Sequence, residues 1–270
     1  MLKRSYRAHD GAFLVEGAQA VREALAGPAP KAPAALAAPM SLRTPRAPRV
    51  RELFVTVEAK ARHPELVAQA VASGVEVHQA SGRVLEELSE TVTPQGLVAV
   101  CELIDVPLDE ALAPGARLAV LLAAIRDPGN AGTVVRTCDA AGADLVAFSD
   151  TSVDPYNGKC VRATAGSLFH LPIVLGCSVP AAIAAMRAAG FEILAADGAA
   201  SRDLDDLERA GVLARPTAWI FGNEAWGLPA EVAGAADHRV RVPIHGRAES
   251  VNIAAAAAGM DGPKNLTSTL

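Results

Sequence analysis

The chain has 270 residues, of which 51% are hydrophobic and 20% charged, with a formal net charge of -5. That length and apolar content suit one or two folded domains and exclude disorder throughout, and the acidic balance excludes a uniform electrostatic attraction for nucleic acid, leaving local basic patches. The longest apolar run, Leu118 to Ile125, stops at Arg126, far short of the roughly 20 residues a bilayer span requires. Met1 to Asp10 is basic but leads into Gly11 to Glu16 rather than a sustained apolar segment, so it does not read as a signal peptide, and a cytoplasmic protein is expected.

In chain order, Phe13 to Leu25 carries apolar residues at helical spacing. Gly27 to Arg49 is rich in Pro and Ala and too poor in bulky apolar residues to pack, so residues 27–49 are expected to form a disordered insertion. Leu53 to Val57 reads as a strand, Pro64 to Ala72 as an amphipathic helix, Val75 to His78 as a strand, Ser81 to Ser89 as a capped helix, and Gly96 to Leu103 as a closing strand. Residues 1–104 thus form a small α/β domain. Asp105 to Ala116, with Pro107, Pro114 and Gly115, reads as a linker.

After the linker, strands and helices alternate. Strands are expected at Leu118 to Ile125, Leu145 to Phe148, Pro172 to Leu175, Glu192 to Ala195, Trp219 to Phe221 and Arg239 to Val242. Helices are expected at Ala131 to Ala141, Gly158 to Ala165 and Pro180 to Ala189, with a last one starting at Glu249. This pattern predicts an α/β fold with a mostly parallel sheet covered on both faces. Cys101, Cys138, Cys160 and Cys177 are widely spaced, without a CxxC pair or neighbouring histidines, which argues against a zinc site and a disulfide framework and for buried small hydrophobes.

Three polar clusters interrupt this apolar half, each after a strand: Asn130 with Arg136, then Gly222-Asn223-Glu224 with Gly227, then Glu249-Ser250-Val251-Asn252. All three could meet at the carboxyl edge of one parallel sheet, where ligands bind. Taken singly, each has a structural alternative. Asp127 to Gly132 could be a phosphate loop with Asp150 as a ribose-binding acid, though the G-x-G-x-x-G pattern is absent, or a plain turn with Asn130 as helix cap. Glu224 could bind hydroxyl or amine groups, or be a helix-start charge favoured by the dipole. Ser250 and Asn252 fall in the first turn of a small-residue helix. The basic residues Arg7, Arg46 and Arg49, and the pair Lys159 and Arg162, could contact RNA phosphates or be solvated surface charges.

Together, DPGNAGTVVRTCDAAGAD, IFGNEAWGLP and VPIHGRAESVNIAAAAA resemble the three motifs of the SpoU (TrmH) family of RNA ribose 2'-O-methyltransferases, in the SPOUT superfamily. VDPYNGKCVRATAGSLFHLPI is similar to the segment between the first two motifs. FLVEGAQAVREAL and TPQGLVAVCEL resemble the L30e-like substrate-binding domain of several members. The resemblance implies a catalytic domain over residues 117–258 ending in a trefoil knot, an exception to the usual unknotted topology. It implies S-adenosyl-L-methionine as methyl donor, contacted by Gly222, Val242, Ile244 and Val251, and a site formed by Asn130, Arg136, Glu224, Ser250 and Asn252. It further implies a homodimer acting on RNA, with ribosomal RNA favoured over tRNA. No metal is expected. A catalytically inert RNA-binding protein and a nucleotide-dependent oxidoreductase are the alternatives from other classes. After Ala258 the chain departs from the family's apolar last helix: Gly259 to Asn265 includes Gly262-Pro263, so a short final helix and a loose tail over 259–270 are expected.

Overall fold

The computed structural model describes residues 3–27, 50–89, 91, 94–243 and 252–260. The expected insertion, apart from Gly27, and the tail beyond Met260 lie outside the described residues, as does 244–251, through which the expected knot would be threaded.

The first unit contains α1 (Arg4–Asp10), β1 (Ala12–Glu16), α2 (Ala18–Ala26), β2 (Val50–Val55), α3 (Val57–Arg62), α4 (Pro64–Ala72), β3 (Glu76–Gln79), α5 (Gly82–Ser89) and β4 (Leu97–Glu102). Its sheet has the order β1-β4-β2-β3. The single helix expected from Phe13 to Leu25 is instead a strand followed by a helix. Phe13 and Val15 point into the core from β1, and Gly17, at φ 94°, turns the chain into α2. Such a φ is open to glycine at little cost, which ends the apolar run's helical reading. Val57 likewise starts α3 rather than ending β2, because the Thr56 side chain accepts the Ala59 N–H and caps the helix.

The segment 105–116 carries a short helix, α6 (Leu108–Ala111). Beyond it come β5 (Leu118–Leu122), α7 (Pro128–Ala140), β6 (Leu145–Ser149), α8 (Gly158–Thr164), β7 (Ile173–Cys177), α9 (Val179–Ala188) and β8 (Glu192–Ala196). Then follow β9 (Arg202–Asp203), α10 (Leu204–Arg209), β10 (Thr217–Phe221), α11 (Ala230–Ala235), β11 (His238–Arg241) and α12 (Ile253–Ala258). β9 and α10 were not legible as apolar periodicity: LDDLER buries only Leu207 and is held by an Asp203–Asp206 capping box.

The seven-stranded sheet has the order β7-β6-β5-β10-β8-β11-β9, with every pairing parallel. Successive residues feed opposite faces, as the strand period requires. Val120, Leu122, Trp219 and Phe221 join the core under α7, α8 and α12, while Ala119, Leu121, Ala218 and Ile220 join the core under α6 and α9. The first of these cores is continuous with that of the N-terminal unit. Phe13 of β1 lies 4.6 Å from Tyr156 and 6.2 Å from Phe169 between ring centroids. Cys101, Cys138 and Cys160 are buried and Cys177 half-buried, all four as free thiols, and burial pushes the first three well above the usual thiol range. Among the described residues no helix is long and apolar enough to cross a membrane.

Candidate active site

Strands β5, β10 and β11 run parallel, so the segments that follow them open on one edge of the sheet. After β5 the chain enters α7 through Asp127, whose side chain accepts the Asn130 N–H at 2.7 Å, with Pro128 in the first turn. The helix cap is therefore Asp127, not Asn130, and the Asn130 amide is left for other work. An Asp directly before Pro at a helix start is the sequence signal for this arrangement. Lys159 of α8 donates to the Asp127 carboxylate at 2.7 Å. That bond, then the Asn130 N–H, holds the carboxyl below the ordinary Asp range despite the opposing effect of desolvation.

After β10 the chain makes a closed turn. Asn223 and Gly227 exchange both backbone hydrogen bonds at 2.9 Å, and the Asn223 amide, 5% exposed, donates to Ala124 O and accepts from Ala225 N. From this turn Glu224 reaches back to the end of β5, where its carboxylate accepts the Arg126 N–H at 3.3 Å and the Asp127 N–H at 3.2 Å. It also accepts the Asn130 side-chain N–H at 3.4 Å. The third cluster closes the array: Asn252 donates from Nδ2 to Asn130 Oδ1 at 3.0 Å, while its own Oδ1 accepts Ala254 N at 2.9 Å and caps α12. Asn252 thus stands at the cap rather than inside the first turn.

Donor and acceptor roles along this chain of contacts are fixed. Glu224 can only accept, so Asn130 Nδ2 must face it; Asn252 Oδ1 is taken by the Ala254 N–H, so Asn252 Nδ2 faces Asn130 Oδ1, and the Asn130 carboxamide can sit only one way round. Asn130, Glu224 and Asn252 come together from three segments. Arg136 is on α7 but exposed, and its side chain forms no hydrogen bond or ion pair with another described residue. Gly222 directly follows β10 in a place with no room for a side chain, since a Cβ would lie 2.4 Å from the carbonyl carbon and oxygen of Gly227. Val242 follows β11 and is half-buried. Ile244, Ser250 and Val251 lie outside the described residues, as do Arg46 and Arg49.

The expected RNA contacts divide. Arg7 is buried, its guanidinium donating to Asp154 Oδ2 at 3.0 Å, so it joins α1 to the catalytic half instead of facing a phosphate. The basic N-terminal run gave no sign of this because the partner lies 147 positions away. Arg162 donates to Glu16 at 3.3 Å and to Ser89 O at 3.2 Å, and its side chain is one-third exposed. Lys159 is more than half exposed beyond its bond to Asp127. Among the described residues no group of three or more His, Cys, Asp or Glu could hold a metal ion.

Along the carboxyl edge of the sheet Gly222 offers main chain alone and Val242 a half-buried aliphatic side chain. Peptide groups beside an apolar surface suit the adenine and ribose of an adenosyl ligand, so these residues fit the expected methyl donor. Fold and site together define an α/β enzyme with its ligand edge at the carboxyl ends of a parallel sheet, fused to a smaller α/β domain.

The chain belongs to the SpoU rRNA methylase family, whose profile matches residues 117–260; the profile for RNA 2'-O ribose methyltransferase substrate binding matches residues 14–106. It is 32% identical over 255 residues to the 23S rRNA (guanosine(2553)-2'-O)-methyltransferase RlmP of Bacillus subtilis, covering 93% of this chain and 88% of the relative. The AdoMet-bound rRNA methyltransferase of Sinorhizobium meliloti superposes with a TM-score of 0.76 at 30% identity, covering 96% of this chain and 88% of the other. The SpoU methyltransferase AviRb of Streptomyces viridochromogenes, in complex with AdoMet, superposes at 0.75 with 27% identity, covering 96% and 91%.

Proposed function

We infer that the protein is an S-adenosyl-L-methionine-dependent RNA 2'-O-ribose methyltransferase acting on ribosomal RNA, which sets its work in the cytoplasm. The observation that carries this reading is the Asn130 carboxamide held between Glu224 and Asn252, which makes one site of three separate segments. The relatives' ribosomal substrates favour rRNA over tRNA.

When bound, the methyl donor would supply an electrophilic methyl carbon to the ribose 2'-oxygen, with the thioether as leaving group, so the chain's own task is alignment more than acid strength. Gly222, Val242, Ile244 and Val251 would hold the donor. The Asn130, Glu224 and Asn252 array, joined by Ser250, would position the ribose. Arg136 would bind the adjoining phosphate and stabilise charge on the 2'-oxygen as its proton passes to solvent water. A guanidinium stays charged at neutral pH and offers a planar fork, which suits that role better than general-base work.

Arg136 follows Asn130 by six residues, which on an α-helix is about 9 Å along the axis and about 240° around it. A side chain so displaced does not face its own Asn130. Its exposure supports a homodimer in which each Arg136 serves the partner's site. Two dead variants test both points. Arg136→Ala and Asn130→Ala should each lose methyl transfer to rRNA from cells lacking this gene. Co-expressed, they should recover about a quarter of wild-type activity, the statistical share of intact sites in a two-fold dimer. No recovery would place Arg136 in its own subunit's site, and wild-type protein inert on every RNA would remove the functional reading itself.

A further inference from the structure

The chain has two tryptophans, and they are disposed oppositely: Trp219 is 1% exposed in the core, whereas Trp226 is 63% exposed. Trp226 belongs to the same closed turn as Glu224. Their Cα atoms can be no more than about 7 Å apart, two residues of chain at most. The turn that carries them is firmly built. Its ends are tied by the paired Asn223–Gly227 backbone bonds, its base by the buried Asn223 side chain, and Gly227 takes the φ of 70° that the reversal requires. Gly222 fits beneath with no space for a Cβ. Glu224 is directed into the Asn130 array and the indole into solvent.

A large aromatic surface on a rigid support loses little conformational freedom when something flat is laid against it. Two cationic residues belong to the same array: Arg126, exposed, whose N–H meets Glu224, and Lys159, more than half exposed beside Asp127. An aromatic face flanked by cations matches unpaired RNA, in which bases stack on aromatic side chains while phosphates seek positive charge. We propose that Trp226 is a specificity-determining residue that stacks an unpaired base of the RNA, either the base on the methylated ribose or its immediate neighbour. The site then selects a nucleotide free to leave its helix. This rests on the RNA methyltransferase reading above.

The test is steady-state methylation of rRNA from cells lacking this gene, with KM for RNA separated from kcat and from KM for the methyl donor. Trp226→Ala should raise the RNA KM by about one to two orders of magnitude, the usual loss of one base–aromatic stack. The methyl-donor KM should not move. Trp226→Tyr and Trp226→Phe should restore most of the RNA affinity, and Trp226→Leu, apolar but without a ring face, should not. Rescue by Leu, or an unchanged RNA KM in the Ala variant with wild-type turnover intact, would overturn stacking alone. A shift of the Ala variant to a smaller sedimenting species would instead assign the indole to a subunit contact. Wild-type protein that methylates no RNA would overturn the functional reading, and the stacking role with it.

Discussion

At the scale of single residues, the proposed site is an array of hydrogen bonds with fixed direction. Asn130 is polarised on both sides, giving its N–H to a carboxylate and its carbonyl to Asn252. Asn252 serves two masters, because its oxygen caps α12 while its nitrogen holds Asn130. The two duties can be parted. Asn252→Asp keeps an acceptor for Ala254 N and should leave the melting temperature near wild type, but it sets oxygen against the Asn130 carbonyl oxygen and should lower kcat about tenfold or more. Asn252→Ala removes both contacts and should add a stability loss of about 0.5–2 kcal/mol. Denaturant melts beside methylation rates would separate these outcomes. Arg136→Lys, which keeps charge but not the planar fork, should also lose at least about tenfold in turnover, and full turnover would count against phosphate binding by that residue.

At the scale of elements, the packing of α7 against α8 positions that array, and one glycine sets their distance. A Cβ at Gly132 would lie 2.4 Å from the carbonyl oxygen of Cys160 and 2.7 Å from the Ala163 Cβ, so the two helix backbones approach each other directly here. Gly132→Ala should therefore destabilise by about 1–3 kcal/mol through overpacking, although alanine is the better helix former. A melting temperature at or above wild type would refute it. The sequence made most of these elements legible. Parallel-sheet strands buried on both faces are continuous apolar runs, and α7, α9 and α4 each begin with a cap or proline signal. Where the reading failed, at Phe13 to Leu25, two periods were superimposed: a strand's alternation and a helix's spacing, divided by one glycine. The order of the three polar segments made them legible as one proposed site. The bonds uniting them span 94 and 122 positions, and no local pattern encodes which amide faces which.

At the scale of the whole molecule, the N-terminal domain is welded to the catalytic one by buried rings and by charges that the sequence offered as RNA contacts. Arg7 meets Asp154, Arg162 meets Glu16, and His170 stands between Asp139 of α7 and Glu23 of α2. His170 Nδ1 lies 2.8 Å from Asp139 and Nε2 3.2 Å from Glu23, so both ring nitrogens face acceptors and the imidazolium satisfies both. Burial opposes that charge, but the two hydrogen bonds and carboxylates outweigh it and raise the histidine above its ordinary value. A raised folded-state pKa binds a proton more tightly than the unfolded chain does. The stabilisation is then complete below the unfolded value of about 6.5 and is lost as pH rises through the folded one. His170→Asn removes the titration while keeping a polar side chain. The wild-type advantage in melting temperature over this variant should be greatest below about pH 6.5 and shrink as pH rises above it. A constant difference across that range would mean that His170 joins the domains by packing alone.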